Sequence, residues 1–330
     1  MTGPPLLRVH DLRVGFESEP AAVVLDGLCL EVAAGQVAGL VGEAGSGKTV
    51  AALALLRLLP SRGVLATGSV AFDGVVLHGP DLLAPGGPQR SGRRGRDIAL
   101  LAGDPVRALH PIIPVGPQLA AALRRRHGLD RSAARRAALE LIAKVGVADP
   151  RALFDTCPHV LPAGTRHRVA LAAAMAGRPR LLVADEPTAG LDPTVAAQIL
   201  ALLGELVRET GAALLLCTSD IGIAAGTCET VNVLFGGRIV EGAGRHRLFG
   251  TPRHPYTHGL LRATPRLDTP PGELVALRGD PAANRRWDGG CAFVDRCGRA
   301  VDPCRSATPA ADVSGGRLLR CHNPVPASAE

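Results

Sequence analysis

Residues 42–49 read GEAGSGKT and follow a short apolar run, QVAGLV, at 36–41. They match the pattern G-x-x-x-x-G-K-[S/T], and a helix is predicted directly after the glycines, from 48 to 59. The glycines let the backbone wrap phosphate groups with its N–H donors, and the helix N-terminus adds partial positive charge. This strand–loop–helix order predicts an α/β fold built around a P-loop.

The P-loop pattern predicts a role for most side chains of the loop. Lys48 is expected to reach the β- and γ-phosphates of a nucleotide, and the Thr49 hydroxyl to ligate Mg²⁺. Lys48 is one of only two lysines in an arginine-rich chain. A glycine-rich turn that merely caps a helix is the alternative, and the motif's context disfavours it. The predicted nucleotide-binding residues here are Gly42, Glu43, Ala44, Gly45, Ser46, Gly47, Lys48, Thr49 and Val50.

A second acidic motif supports the same interpretation. Residues 181–188 read LLVADEPT, an apolar strand that ends in two carboxylates. Open α/β sheets place their ligands at such strand ends. Asp185 is predicted to hold Mg²⁺ through water, and Glu186 to polarise the attacking water as general base. An ordinary acidic strand–helix turn is the alternative.

The rest of the chain predicts an alternating α/β pattern with additions. Strands are predicted at 6–14, 22–32, 36–41, 180–185 and 212–217, and helices at 131–145, 165–176 and 193–209. The first two strands form a β-rich N-terminal layer, and 105–178 is a helical insertion. After residue 265 the sequence turns rich in Pro, Gly, Arg and Cys. We therefore predict a nucleotide-binding domain at 1–265 and a small Cys-bearing C-terminal appendage at 266–330.

Composition limits the classes of partner. The net charge is +7, but the arginines are scattered and aromatic residues make up only 2% of the chain, which disfavours nucleic-acid binding. The N-terminus lacks the pattern of a signal peptide, and no apolar run is long enough to cross a bilayer. We expect a cytoplasmic protein that meets a membrane only through partners. The 8 cysteines then indicate buried thiols or a metal site rather than disulfides.

Three segments together carry a family resemblance. VGEAGSGKT, LLVADEPTAGLD and FGGRIVEGA, in this order, resemble an ABC-type ATPase. RLFGTPRHPYTHGLLRATP, followed by the cysteine-bearing tail, resembles the ATP-binding subunits of dipeptide, oligopeptide and nickel importers. The resemblance implies a nucleotide-sandwich dimer at the cytoplasmic face of the membrane, bound to two permease subunits and served by an external solute-binding protein. It also places Phe16 against adenine, although Phe16 could equally pack within its strand.

The chain departs from the resembling family at three positions. Gly103 stands where the family has a glutamine near Mg²⁺ and the attacking water. Pro162 replaces the serine of the signature that contacts the partner's γ-phosphate, and Ser219 replaces a histidine that bridges γ-phosphate and water. Each such contact is worth about 10² to 10³ in rate. We therefore expect intact nucleotide binding, slow intrinsic hydrolysis, and a heterodimer with a second ATP-binding subunit.

The C-terminal cysteines form a separate candidate site. They are spaced C-x5-C-x6-C-x16-C, in a segment with few large apolar residues. Such a spacing could hold an iron–sulfur cluster or, less readily, zinc, and four reduced thiols are the alternative. The predicted ligands are Cys291, Cys297, Cys304 and Cys321.

The main function hypothesis is ATP-driven import of peptides or a similar small solute. The rival is a regulatory ATP-binding subunit with little hydrolysis of its own. A soluble ABC protein of translation or DNA repair is disfavoured by the importer-like tail and by the lack of a tandem second ATP-binding domain.

Overall fold

The computed structural model describes residues 4–17, 22–59, 64–78, 95–265, 275–279 and 289–327. The chain forms two compact units. The first unit comprises 1–33, 37–87 and 216–330, and the second comprises 34–36 and 88–215. The chain therefore leaves the first unit after the phosphate loop and returns to it near residue 216.

An antiparallel sheet forms one layer of the first unit. Its strands are ordered β2-β1-β4-β5, with β1 Leu7–Phe16, β2 Ala22–Val32, β4 Val64–Phe72 and β5 Val75–His78. Burial alternates along much of β1, so that Leu7, Val9, Leu12 and Val14 face the core, with an irregularity of register near Asp11. The β-rich N-terminal layer predicted from the sequence is confirmed.

A second run of strands in the first unit carries the phosphate loop. Its order is β11-β12-β10-β9-β3, with β3 Val37–Val41, β9 Thr230–Phe235, β10 Arg238–Gly244, β11 Asp312–Ser314 and β12 Arg317–Leu319. β3 and β9 are parallel, whereas β10 pairs antiparallel with both β9 and β12. The C-terminal strands β11 and β12 thus belong to the same sheet as β3.

The described part of the first unit also contains helices. They are α1 Lys48–Leu55, α8 Ile221–Thr227, α9 Arg245–Gly250, α10 Pro255–Ala263 and α11 Pro303–Ser306, with a 3₁₀ turn at Val294–Arg296. The sequence predicted that α1 would reach residue 59, which is wrong. Arg57 adopts a left-handed conformation, φ 52°, and this ends the helix early.

The second unit combines parallel strands with helices. β6 Ile98–Ala102 pairs with β7 Leu181–Asp185 in parallel, and β8 Ala213–Thr218 begins here and passes into the first unit after residue 215. The helices are α2 Pro105–Ala108, α3 Val115–His127, α4 Arg131–Lys144, α5 Pro150–Phe154, α6 Ala163–Met175 and α7 Pro193–Thr210, with a 3₁₀ turn at Pro158–Val160. The predicted α/β class and helical stretch are confirmed, with element ends displaced by one or two residues.

Within the described ranges, no helix is long and apolar enough to span a membrane. The predicted domain boundary at 265/266 stays a prediction, since the two compact units divide the chain elsewhere.

Candidate nucleotide-binding site

The phosphate loop joins β3 to α1 and depends on three glycines. A Cβ atom at Gly42 would lie 2.2 Å from the Leu234 carbonyl oxygen, so only glycine lets the loop pack against β9. Gly47 has a φ of +110° and precedes the first residue of α1. Gly45 also has a left-handed φ, +79°, but a Cβ there would meet nothing within 4 Å. The loop is therefore packed tightly on one side and open at Gly45.

Lys48 is held inside this loop. Its side chain is buried, and its ammonium donates to the carbonyl oxygens of Gly42 at 2.7 Å and Glu43 at 3.1 Å. These contacts fix the ammonium where the loop curves around the start of α1. A compact cation at this point suits a phosphate ligand.

The other predicted loop residues differ in exposure. Ala44, Gly45 and Thr49 are exposed, Val50 is half-buried, and Ser46 is buried. Thr49 is the second residue of α1, so its hydroxyl lies at the helix N-terminus, where an Mg²⁺–phosphate complex is favoured. Phe16 ends β1 half-buried, paired with Ala22 and Val64, and its predicted contact with adenine stays a prediction.

Glu43 has two partners that the sequence did not predict. Its backbone N–H donates to the Tyr256 hydroxyl at 2.9 Å. Both of its carboxylate oxygens accept from the Arg296 guanidinium, at 2.8 and 3.0 Å. Burial raises the pKa of Tyr256 above its usual value, which keeps the hydroxyl protonated. No local pattern indicates these contacts, because Arg296 follows Glu43 by 253 residues.

The acidic motif lies in the second unit. Asp185 ends β7 opposite Ala102 of β6, and both Asp185 and Glu186 are half-buried. Glu186 adopts a left-handed conformation, φ 48°. Gly103 follows β6 directly, and a Cβ atom there would lie 2.5 Å from the Glu186 carbonyl oxygen and 2.8 Å from that of Asp185. The glycine is thus packed against the turn that carries both carboxylates.

The two other divergent positions are exposed. Pro162 precedes α6 as its N-cap residue and provides no side-chain hydrogen bond there. Ser219 lies between Thr218, the last residue of β8, and Asp220, which caps α8 by accepting from the N–H groups of Gly222 and Ile223.

The tail cysteines lie near one another. Burial raises the pKa of the Cys321 thiol to about 11, and the other three tail thiols add to that rise. Burial likewise raises the pKa of Cys291 and of Cys297, again with help from neighbouring cysteines. Within the described ranges, which include all four, no three His, Cys, Asp or Glu side chains converge where one metal ion would bind. A preformed site for a single ion is therefore not present among them.

Two protein families match this chain. The family described as "ABC transporter" matches residues 25–189, which include both motifs. The chain belongs to the ABC transporter family of ATP-binding proteins. The family described as "Oligopeptide/dipeptide transporter, C-terminal region" matches residues 240–304, which include Tyr256 and Arg296.

The relatives of this ABC ATPase align over almost its full length. It is 38% identical to the oligopeptide transport ATP-binding protein OppD of Salmonella typhimurium, over 97% of this chain and 94% of that protein. It is 37% identical to the dipeptide transport ATP-binding protein DppD of Escherichia coli, over 97% of both chains.

Solved structures share the fold of this ABC ATPase. The dimeric ATP-binding cassette MJ0796, bound to ADP and Pi, superposes with a TM-score of 0.62 at 22% identity, covering 72% of this chain and 98% of that one. CbiO1 of Clostridium perfringens gives a TM-score of 0.61 at 24% identity, covering 75% of this chain and 91% of that one. The predicted α/β P-loop fold class is confirmed, and its Cys-bearing C-terminal appendage stays a prediction.

Proposed function

We propose that this chain is the ATP-binding subunit of an ABC importer for peptides or a similar small solute. The observation that carries the proposal is the phosphate loop, where glycine packing and two carbonyl contacts place the buried Lys48 ammonium at the start of α1. The near full-length similarity to oligopeptide and dipeptide transport proteins supports the solute class.

Each predicted side chain then has a role toward MgATP. The loop N–H groups and Lys48 hold the phosphates, and Thr49 and Asp185 hold Mg²⁺, directly and through water. Glu186 orients and polarises the attacking water as general base. Phe16 supplies an aromatic face for adenine.

An apolar surface on the second unit supports a membrane partner. Val106, Ile112, Ile113 and Val160 are all exposed, with Ile112 at 72% and Val160 at 62%. The segments that carry Ile112, Ile113 and Val160 are tied together, since the His159 ring nitrogen lies 2.8 Å from the Pro111 carbonyl oxygen. Exposed patches of large apolar side chains mark interaction surfaces. We assign this patch to one of two permease subunits at the cytoplasmic face of the membrane, with an external solute-binding protein delivering the solute.

Gly103, Pro162 and Ser219 favour an asymmetric pair of ATP-binding subunits within this assignment. A homodimer would lack three contacts at both of its sites. A partner with complete motifs would restore the signature contact at this chain's own site, and the partner's own site would lack only the contact that Pro162 replaces. The alternative, a regulatory subunit that binds ATP with little hydrolysis, rests on the same residues.

The four tail cysteines are proposed to hold an iron–sulfur cluster rather than zinc. The Cys291 N–H donates to the Cys304 carbonyl oxygen at 2.8 Å, and the thiols of Cys291, Cys297 and Cys304 each add to the rise in the pKa of Cys321, so the four residues share one neighbourhood as cluster ligands would. The C-x5-C-x6-C-x16-C spacing fits no simple zinc-ribbon pattern, which favours the cluster over zinc. Absorption spectra with iron, sulfide and zinc analysis of anaerobically purified protein test this assignment. One zinc and no iron, or neither metal, would contradict it.

Nucleotide binding is tested with the two lysines of the chain. We expect Lys48→Ala to lower MgATP affinity by about 100-fold or more, because it removes the loop's only buried cation. Lys144→Ala is the matched control, since Lys144 lies in α4, half exposed and ion-paired with Glu209. Calorimetric titration measures both. Equal affinities for Lys48→Ala and the natural protein would overturn the assignment.

The transported solute is tested in cells. Deletion of the gene should abolish uptake of labelled di- and tripeptides, and the natural gene, but not Lys48→Ala, should restore it. Unchanged peptide uptake in the deletion strain would remove peptides from the proposal and leave other small solutes.

A further inference from the structure

The phosphate loop is tied to a residue of the C-terminal region. Arg296 donates from both terminal nitrogens to the two carboxylate oxygens of Glu43, the second residue of the loop. The Arg296 side chain is 4% exposed and that of Glu43 is 20% exposed. A bidentate arginine–carboxylate pair with this burial is directional and stronger than a surface ion pair.

Arg296 is itself fixed by its surroundings. Its Nε donates to the Arg278 carbonyl oxygen at 2.5 Å. Its guanidinium carbon lies 5.9 Å from the centre of the Phe235 ring and 5.8 Å from that of Phe293. A Cβ at Gly279 would lie 2.9 Å from Arg296 Cγ, so the chain passes closely over the side chain. The guanidinium therefore reaches Glu43 from a prearranged position.

Tyr256 fixes the same loop residue from a second direction. Its hydroxyl accepts from the Glu43 N–H, and its ring is fully buried, 4.5 Å from Phe235 and 5.3 Å from Phe293 between ring centres. The backbone and the carboxylate of Glu43 are thus both positioned by residues of the C-terminal half of the chain.

We infer that Arg296 is a positioning residue of the nucleotide site, which neutralises Glu43 so that the loop can accept a triphosphate. This inference rests on the proposed function, because it assumes that the loop binds nucleotide. Glu43 brings a negative charge into a loop that must hold several more, and unpaired it would repel the phosphates. The C-terminal region is then part of the nucleotide site rather than an attachment to it.

A double-mutant cycle between Glu43 and Arg296 tests the inference by calorimetric titration with MgATP. Arg296→Gln alone should lower affinity about tenfold, because it exposes the phosphates to an unpaired carboxylate. In a Glu43→Gln background the same substitution should cost less than about twofold, because no charge is left to repel them. Arg299→Gln is the matched control, since Arg299 lies three residues away, is exposed, and donates from its guanidinium to Asn323 and Pro324 rather than to the phosphate loop.

Salt dependence separates charge neutralisation from a purely structural role. The tenfold deficit of Arg296→Gln should shrink toward about threefold in 0.5 M NaCl (roughly a 4 Å screening length), because salt screens the repulsion. Equal losses in both Glu43 backgrounds, or no loss at all, would overturn the inference. If Lys48→Ala binds MgATP normally, the proposed function fails; if Lys48→Ala loses binding while Arg296→Gln does not, only this inference fails.

Arg296→Lys provides an independent variant should Arg296→Gln not fold. It keeps the positive charge and loses the bidentate geometry, so its affinity should stay within about threefold of the natural protein. A loss as large as that of Lys48→Ala would contradict neutralisation as the role of Arg296.

Discussion

Gly103 shows how a single glycine shapes the acidic turn of the second unit. A Cβ at this position would press against the carbonyl oxygens of Asp185 and Glu186, and Glu186 already has a left-handed backbone. We expect Gly103→Ala to lower the free energy of unfolding by about 1–3 kcal/mol, because the turn must move to admit the methyl group. A glutamine here would meet the same obstacle, so reinstating the family residue requires a backbone shift.

Thermal melting checks this expectation against Gly204→Ala as the control. Gly204 lies inside α7, and a Cβ there meets nothing within 4 Å. Its replacement should raise stability by about 0.5–1 kcal/mol, because alanine favours the helix. Equal effects of the two substitutions would show that the contacts at Gly103 relax without cost.

His254 is expected to make stability depend on pH. Burial lowers the pKa of His254 to about 3, against the opposing effect of a hydrogen bond to the Arg320 backbone. The unfolded chain therefore binds more protons than the folded chain between pH 6.5 and 3. Stability should fall as pH drops through this window, by up to about 1.4 kcal/mol per pH unit from this group.

Melting temperatures between pH 7.5 and 5 measure the effect. His254→Asn should flatten the pH dependence while retaining an acceptor for the Tyr256 N–H at the start of α10. His246→Asn, at an exposed position of α9, is the control and should leave the dependence unchanged. An identical slope in the natural protein and in His254→Asn would contradict the role assigned to His254.

At the level of elements, β12 attaches the C-terminal chain to the sheet through a buried ion pair. Arg317 of β12 lies 3.3 Å from the carboxylate of Glu241 in β10, and Glu241 is fully buried. Glu241 also accepts from the N–H groups of Arg253 and His254. Burial lowers the pKa of Arg317, while the nearby Glu241 opposes that shift.

We expect Arg317→Met to destabilise the protein by about 3 kcal/mol, because it leaves the Glu241 carboxylate buried without its cation. Thermal melting of Arg317→Met and of the control Arg305→Met, at an exposed position in α11, measures this. A loss no larger than that of the control would mean that the two backbone N–H groups suffice for Glu241.

The elements that the sequence predicted are those with a periodic apolar pattern or next to the phosphate-loop motif. Helix α4 and strand β7 were predicted to within a residue. Helix α4 buries one face and β7 buries both of its faces, so each has a regular apolar pattern in the sequence. β11 and β12 have only three residues each, too few for a period to show, and β12 is defined by its pairing with β10. The Arg296–Glu43 contact could not be predicted from the sequence either, because it joins residues 253 positions apart.

For the whole molecule, the residues of the two predicted nucleotide-binding motifs belong to different compact units. The phosphate loop and Ser219 belong to the first unit, whereas Asp185, Glu186 and Pro162 belong to the second. The motifs and their order along the chain predict the family, because neither depends on how the chain divides into units. In the proposed dimer, one chain alone does not determine the contacts that its partner completes, so we expect turnover to depend on the assembly.

We therefore predict that the purified chain hydrolyses ATP slowly, about 100-fold or more below its complex with a second ATP-binding subunit that carries complete motifs. The reason is the combined absence of the side chains replaced by Gly103, Pro162 and Ser219, each a contact to transition-state charge. Steady-state phosphate release measures both rates.

Ser219→His is the informative variant, because position 219 is exposed and offers room that position 103 lacks. It should raise turnover in the complex, while Ser219→Ala should not. A chain that alone matches the complex would show that other groups supply these contacts and would remove the case for an asymmetric pair.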